Sequence, residues 1–379
     1  MMTPERVSVY VHIPFCAKRC AYCDFNTYAW RGAIVRDTLE AIRLSIERTE
    51  EADVVVPTIF FGGGTPSFPA PELIVRILET IRERFQVLPD AEISIEVNPG
   101  SADRARYALF RQAGFNRLSM GVQSFDDRLL VALGRVHTAN EAFRSYDAAR
   151  QAGFGNINLD LMFALPDHSL RQWQHTLRTA VSLQPEHISC YALTVEPNTP
   201  FFRLNQRGLL NLPDEDTDLK MYLYTIRALT RAGYEHYEIS NFARRGHRCQ
   251  HNMVYWRNEQ YLGFGPGAVS YRRGVRWKAI RNPRRFVQAV HSGAPLVQEE
   301  ERLDATASLG ETLMLMLRLR DGVDVKAVEQ RYGVNLPQRY AHQLNRLRRL
   351  RLLEVTRDRW RITTKGLPVA NSVCAEFLA

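Results

Sequence analysis

The chain has 379 residues, 45% of them hydrophobic and 24% charged. That is enough for two or three compact units, and it excludes wholesale disorder and fibrous or coiled-coil rods. The net charge is +9; residues 302–379 hold 14 Lys and Arg against 8 Asp and Glu, so most of the excess sits in the last fifth. No run approaches the ~18 uncharged apolar residues of a membrane span. The start, MMTPERVSVYVHIPF, lacks a basic region followed by an apolar stretch. A cytoplasmic protein is expected.

From residue 7 to about 240, short β-rich runs alternate with longer helical ones. Strands are expected at Val7–Ile13, Thr58–Phe61, Glu92–Val97, Asn116–Gly121, Asn156–Phe163 and His187–Ala192. Helices are expected near 33–50, 70–85, 103–113, 139–152, 169–183 and 214–232. Gly114, Gly153 and Gly233 each follow a helical run and precede an aromatic residue, a helix-stop signal. Six β/α units in a row imply a parallel sheet with crossover helices, as an open doubly wound sheet or an incomplete TIM-like barrel. The unusual residues fall near the carboxyl ends of the strands, where parallel α/β folds build their sites. Cysteines follow strand one, Gly62-Gly63-Gly64-Thr65-Pro66 follows strand two, and Glu96-Val97-Asn98-Pro99 ends strand three. Gln123 follows strand four, Asp160 lies in strand five, and Ala192-Leu193-Thr194 ends strand six.

Residues 241–300 lose the alternation and read as an irregular cover with a few extra strands. From 301 a separate unit begins. It contains an apolar helix (Leu309–Leu317), a segment with Val323, Val325 and Val328, a basic helix near 337–350 and a hairpin from Leu352–Thr356 and Trp360–Thr363, which together are winged-helix-like. Leu344, Leu347 and Leu350 repeat every three residues, a buried helical edge with solvated arginines around it. Nucleic-acid binding is not expected of this unit. Its positive charge also suits an acidic protein or a membrane surface.

Cys16-x3-Cys20-x2-Cys23 places three of the six cysteines in one loop. In a chain without a disulfide framework, clustered thiols mark metal or redox chemistry. Three thiolates hold three corners of a four-iron cluster and leave the fourth iron open to a small ligand. A zinc site using these cysteines plus His12 is the alternative, but structural zinc generally draws on two paired ligand sets.

The run from Val9 through Cys16 to Tyr22-Cys23-Asp24-Phe25 resembles the radical S-adenosylmethionine (SAM) superfamily. Within it, the sequence is similar to the branch of anaerobic coproporphyrinogen III oxidase and the HemW-type heme chaperones. The resemblance covers nearly the whole chain, including Gly62–Pro66, Ile95–Pro99, Gly121–Phe125, Leu133-Gly134-Arg135 and Asn158–Met162. It implies a partial (β/α)6 barrel with a [4Fe-4S] cluster on Cys16, Cys20 and Cys23, SAM chelating the unique iron through its amino and carboxylate groups. It also implies Tyr22 near the adenine and Tyr10 near the methionine part of SAM. Gly63 and Gly64 would let backbone approach the ligand, with Thr65 adding a hydroxyl. Glu96 and Asp160 would accept from an amino group or ribose hydroxyls, and Gln123, Arg135 and Ala192 would join them.

Two departures separate the chain from the oxidase. Phe25 stands where the oxidase has a further cysteine, and only 15 residues precede Cys16, where the oxidase has an extension. Cys249-Gln250-His251-Asn252-Met253-Val254-Tyr255-Trp256 resembles the H-N-x-x-Y-W signature of the chaperone group. Imidazole ligates iron and aromatic rings cover a macrocycle, so His251 is a candidate heme ligand. His247, Cys249 and His251 alternate, and an extended segment would turn all three to one side. Val269, in Gly265–Ser270, stands where the family commonly has histidine and is carried as a candidate heme-site position. The expected function is a heme chaperone that binds a [4Fe-4S] cluster, SAM and heme and delivers heme to an acceptor protein, in solution or at a membrane. A radical-SAM coproporphyrinogen III oxidase is the alternative.

Overall fold

The structure, a computed structural model, describes residues 5–51, 53–101 and 103–378. Strand β1 (Ser8–Ile13) shows how the sheet is built. Val9, Val11 and Ile13 are fully buried against the covering helices, while Ser8, Tyr10 and His12 point to the opposite face. The barrel continues with β2 (Val55–Gly63), β3 (Gln86–Val97), β4 (Arg117–Gln123), β5 (Ile157–Phe163) and β6 (His187–Ala192). These six strands pair in chain order and all in parallel, with a helix in each crossover. One cavity is lined from the ends of all six, as the curvature of a partial barrel requires. The expected strands and helices match closely, and Gly114, Gly153 and Gly233 all have positive φ.

The barrel interior is polar. Ser8, Thr58, Ser94, Ser119, Asn158 and Ser189 line it, all buried. Its hydrogen bonds run in a chain: Ser119 Oγ donates to Asp160 (2.9 Å), Asn158 Nδ2 to Ser119 (2.8 Å), and His187 joins Asn158 (2.6 Å) to the Tyr237 hydroxyl (2.8 Å). Apart from the Ser94 hydroxyl these buried groups are partnered, so this lumen is an ordered interior.

Residues 241–300, expected as an irregular cover with a few extra strands, supply strands that extend the same sheet at both edges. Beyond β6 lie β8 (Asn241–Ala243) and β7 (Glu235–His236). Beyond β1 lie β9 (Tyr261–Phe264), β10 (Val269–Arg272), β11 (Val275–Ala279) and β12 (Val297–Arg302), for 12 strands among the described residues. The helix Gln250–Trp256 closes the amino-terminal mouth of the barrel. The Glu92 carboxylate accepts from the backbone N–H groups of Gln250 (3.1 Å) and His251 (3.0 Å) and so caps this helix from a distant strand.

The last part of the chain packs around its own core of Leu309, Leu313, Val325, Leu344, Trp360 and Phe377. Helices flank a small antiparallel sheet of β13 (Val323–Asp324), β14 (Leu353–Val355) and β15 (Arg359–Ile362), ordered β13-β15-β14. Leu344 and Leu347 are buried, but Leu350 is 47% exposed. The helix ends at Arg349, so Leu350 turns away from the expected edge. This unit docks on the barrel through Asn258 to Thr312 (2.9 Å), Arg276 to Glu311 (2.7 Å) and Arg248 to Asp321 (2.6 Å).

Candidate metal and cofactor site

The cysteine loop leaves β1 and is fixed at several points. Cys16 N–H donates to the Tyr28 carbonyl (3.1 Å), Tyr28 N–H to the Pro14 carbonyl (2.7 Å), and Ala21 N–H to the Leu133 carbonyl (3.1 Å). His12 Nε2 lies 3.0 Å from the Asn26 carbonyl, which can only accept, so Nε2 carries the proton and Nδ1 accepts from the Tyr10 hydroxyl at 2.9 Å. The imidazole is thus committed to holding the loop and is not offered to a metal. Burial lowers its pKa and keeps it neutral.

Cys16, Cys20 and Cys23 are half-buried and line one cavity of about 370 Å³. Donors point at the sulfurs. Thr65 Oγ1 lies 3.6 Å from Cys16 Sγ, and Arg135 Nη1 lies 3.5 Å from Cys20 Sγ. Hydrogen bonds to sulfur and the degree of solvent exposure are the means by which proteins tune thiolate-bound clusters. Burial pushes the Cys16 thiol up to about 11 and raises Cys23 as well, so metal binding must displace protons here. Among the described residues no three His, Cys, Asp or Glu side chains converge tightly enough for a single ion. The spread of the thiols in a shared cavity suits a cubane, which takes one thiolate per iron, better than a tetrahedral zinc. The residues present fit a four-iron cluster.

Glycine is required beside the loop. A Cβ on Gly64 would stand 2.6 Å from the Phe15 carbonyl oxygen, and one on Gly63, where φ is +112°, would stand 2.6 Å from the His12 ring. Asn98 ties the wall together. It donates to Thr65 (2.7 Å) and accepts from Arg135 (2.5 Å), which also donates to the Gly121 carbonyl (2.6 Å). Gln123 follows at a register shift with φ +66°, a left-handed backbone that is unusual for a residue other than glycine. Deeper in, Glu96 accepts from Gly63 N–H (3.0 Å) and faces Asp160. Burial, reinforced by the Asp160 charge, pushes Glu96 up to about 8, and burial raises Asp160 too. Two carboxyls that resist ionising together form a seat for a cationic ligand.

The cavity wall therefore brings together Cys16, Cys20, Tyr22, Cys23, Gly63, Gly64, Thr65, Glu96, Gln123, Arg135, Asp160 and Ala192. Tyr10, Val269 and His251 are not on it. Tyr10 faces the lumen one layer deeper, its ring stacked on Phe60. Val269 lies in β10, paired with Lys278 across from β11; its neighbour Pro266 accepts from Asn26 and so supports the cysteine loop from behind. His251 is 1% exposed, and a turn ending at His247 followed by a helix from Gln250 replaces the extended run expected for His247, Cys249 and His251. Its Nδ1 meets Thr58 (2.8 Å), whose hydroxyl donates onward to Ser8, so Nδ1 carries the proton and Nε2 accepts from Tyr255 (3.0 Å). With both nitrogens used, His251 presents no free heme ligand in this conformation. Asn98 and His12 were not singled out for these positioning roles; only the Glu-Val-Asn-Pro run at a strand end pointed toward Asn98.

A family model for the radical SAM superfamily matches residues 10–180, and one for the HemN C-terminal domain matches residues 303–369. The solved coproporphyrinogen III oxidase HemN from Escherichia coli, described as a radical SAM enzyme, superposes with a TM-score of 0.85 at 26% identity, covering 99% of this chain and 90% of that one. The barrel and its cysteine-lined cavity are those of a radical SAM protein, a class defined by a [4Fe-4S] cluster and SAM. Heme chaperone HemW of Bacillus subtilis is 36% identical over 376 residues, covering 98% of this chain and 99% of the relative. HemW of Escherichia coli is 37% identical over 382 residues, covering 98% of each. The chain belongs to the HemW heme chaperone family. When bound, a [4Fe-4S] cluster supplies an open iron and one-electron chemistry; Cys16, Cys20 and Cys23 would hold it, and Glu96, Gln123, Arg135 and Asp160 would orient SAM beside it.

Proposed function

We propose that this protein binds heme as cargo and passes it to an acceptor protein, with the cysteine cluster and SAM site as the controlling apparatus. The observation that carries the reading is the end-to-end likeness to heme chaperones at 36–37% identity, against 26% to the structurally similar oxidase. Phe25, 64% exposed where the oxidase resemblance calls for a further cysteine, supports the same choice. Among the described residues no helix is long and apolar enough to cross a membrane, so an acceptor in a membrane would be met from outside it.

The test is anaerobic reconstitution with iron and sulfide, followed by three assays on one sample: hemin titration by Soret absorbance, heme transfer to an apo-hemoprotein, and coproporphyrinogen turnover. Stoichiometric heme uptake and transfer without turnover is the expected result. Steady conversion to protoporphyrinogen would overturn it in favour of the oxidase.

A further inference from the structure

The underside of the barrel and the C-terminal unit enclose a second cavity of about 660 Å³, remote from the cysteines. Arg257, Arg320, Arg331, Arg359 and Arg361 line it. Two of these are neutralised: Arg359 pairs with Asp324 (3.0 Å) and Arg361 with Glu354 (2.6 Å). Asp321 of the wall is held by Arg248 at 2.6 Å, a guanidinium that also binds Glu235 at 2.5 Å. Among the described residues Arg257, Arg320 and Arg331 have no carboxylate within ion-pair distance. Backbone carbonyls orient two of them: Arg331 donates to Asn258 O (2.8 Å) and Arg320 to Ile362 O (2.7 Å). Burial, with Arg361 nearby, pulls Arg320 below the ordinary arginine value, so its charge lacks compensation. Glu259 is the remaining acid of the wall. Counted over the wall alone, five arginines face three carboxylates, Glu259, Asp321 and Asp324, an excess of +2.

The cleft begins where the H-N-x-x-Y-W segment ends. Arg257 directly follows Trp256, which packs against the buried cluster of Tyr237, Ala243, Met253 and Leu319 behind the cleft wall without lining the cleft itself. The Trp256 Nε1–H is buried without an acceptor among the described residues, and the Arg318 guanidinium lies 5.7 Å from the indole ring. Met316, Leu319 and Val328 give the cleft an apolar wall beside its excess positive charge, which matches an apolar macrocycle that carries two acids. Arginine is the side chain best shaped to grip carboxylates in pairs.

We infer that this cleft is an anion seat for the two propionates of the heme cargo, with Arg257, Arg320 and Arg331 as their partners. The inference rests on the heme-binding reading and adds a location to it. The shared chemistry, two carboxylate or phosphate groups, would also suit free phosphate.

The experiment is a titration of the full chain with hemin, hemin dimethyl ester and inorganic phosphate, for wild type, Arg257→Gln and Arg320→Gln. Arg257 is exposed and has no ion-pair partner, so its substitution tests charge without disturbing packing; thermal melts check Arg320→Gln. Each variant is expected to weaken hemin binding about tenfold, the value of a lost charge-assisted hydrogen bond, while binding the ester as wild type does. Hemin and ester bound equally well by all three proteins would overturn the propionate seat and leave the chaperone reading standing. Saturable phosphate binding lost in the variants, with hemin unaffected, would reassign the cleft to free phosphate and overturn it as well. Failure of wild type to bind hemin at all would remove both readings together.

Discussion

Arg135 donates to the sulfur of Cys20 at 3.5 Å while holding Asn98 at 2.5 Å and the Gly121 carbonyl at 2.6 Å. One buried guanidinium thus ties the cysteine loop to the ends of β3 and β4. Its Nε has no partner among the described residues, which leaves a donor directed into the site. Replacing it by leucine strips a sulfur of its hydrogen bond and leaves Asn98 Oδ1 without its donor. Arg135→Leu is expected to destabilise the cluster-free chain by about 2–3 kcal/mol in chemical denaturation. It should also lower the reduction potential of the reconstituted cluster, because donors to sulfur stabilise the reduced state. A potential unchanged in an EPR-monitored redox titration would sink the proposed role at sulfur.

Cys20→Ser is expected to abolish the cluster and spare the barrel. The loop backbone is held by Cys16 N–H, Ala21 N–H and the His12–Asn26 contact, none of which involves the Cys20 thiol. Iron content after reconstitution should fall to background, while circular dichroism and the melting temperature of the metal-free protein stay within a few degrees of wild type. Loss of the folded state would instead make the loop a structural staple.

The carboxyl of Glu96, pushed up to about 8 by burial and the facing Asp160, makes SAM affinity depend on pH. Below that value the site holds a proton that a positively charged ligand must expel. Affinity should therefore climb between pH 6 and 8, by at most about tenfold per unit, and flatten above. Glu96→Gln should bind more weakly and lose the slope. Equilibrium dialysis at several pH values decides it: a variant that keeps the wild-type profile assigns the titration to another group.

Most of this site was legible because parallel β/α folds place functional residues at strand ends, and six such ends carried unusual residues. The helix caps were legible because a glycine with positive φ has a local cause. The helical setting of His251 was missed for the opposite reason. Its seven-residue helix is capped by Glu92, 158 positions before Gln250 in the chain, and no local pattern announces that contact. Strands β11 and β12 were hidden too. Their edges are held by charge pairs such as Arg276–Glu301 and Lys278–Glu299, so the apolar alternation that marks a strand is missing.

Glu238 gives a prediction about stability alone. It is 1% exposed, and burial pushes its carboxyl up to about 7, against the hydrogen bonds from Ser240 and Asn241. The folded value lies above the unfolded one, so its contribution is full below about pH 4.5 and is lost as pH rises through 7. Glu238→Gln removes that loss. Between pH 5 and 8.5, wild type should lose up to ~3 kcal/mol more than the variant, measured by urea denaturation. Parallel pH curves for the two proteins would show that Glu238 ionises freely in the folded state.

His251 and Tyr255 supply the last test, one that separates a heme ligand from a core histidine. The imidazole is neutral, its pKa lowered to about 3 by burial, and its Nε2 lone pair is occupied by the Tyr255 hydroxyl. If iron takes that lone pair, the hydroxyl competes with it. Tyr255→Phe then removes the competitor at a cost of only about 1 kcal/mol in stability, and hemin affinity should rise several-fold with an altered Soret band. If His251 serves the barrel alone, the same substitution leaves the hemin titration unchanged. His251→Ala is the weaker probe. It deletes two buried hydrogen bonds and the stacking on Phe60 at 5.2 Å, enough to cost about 2–4 kcal/mol, so lost heme binding in that variant counts in favour of a ligand role only when its melt matches that of a stable control.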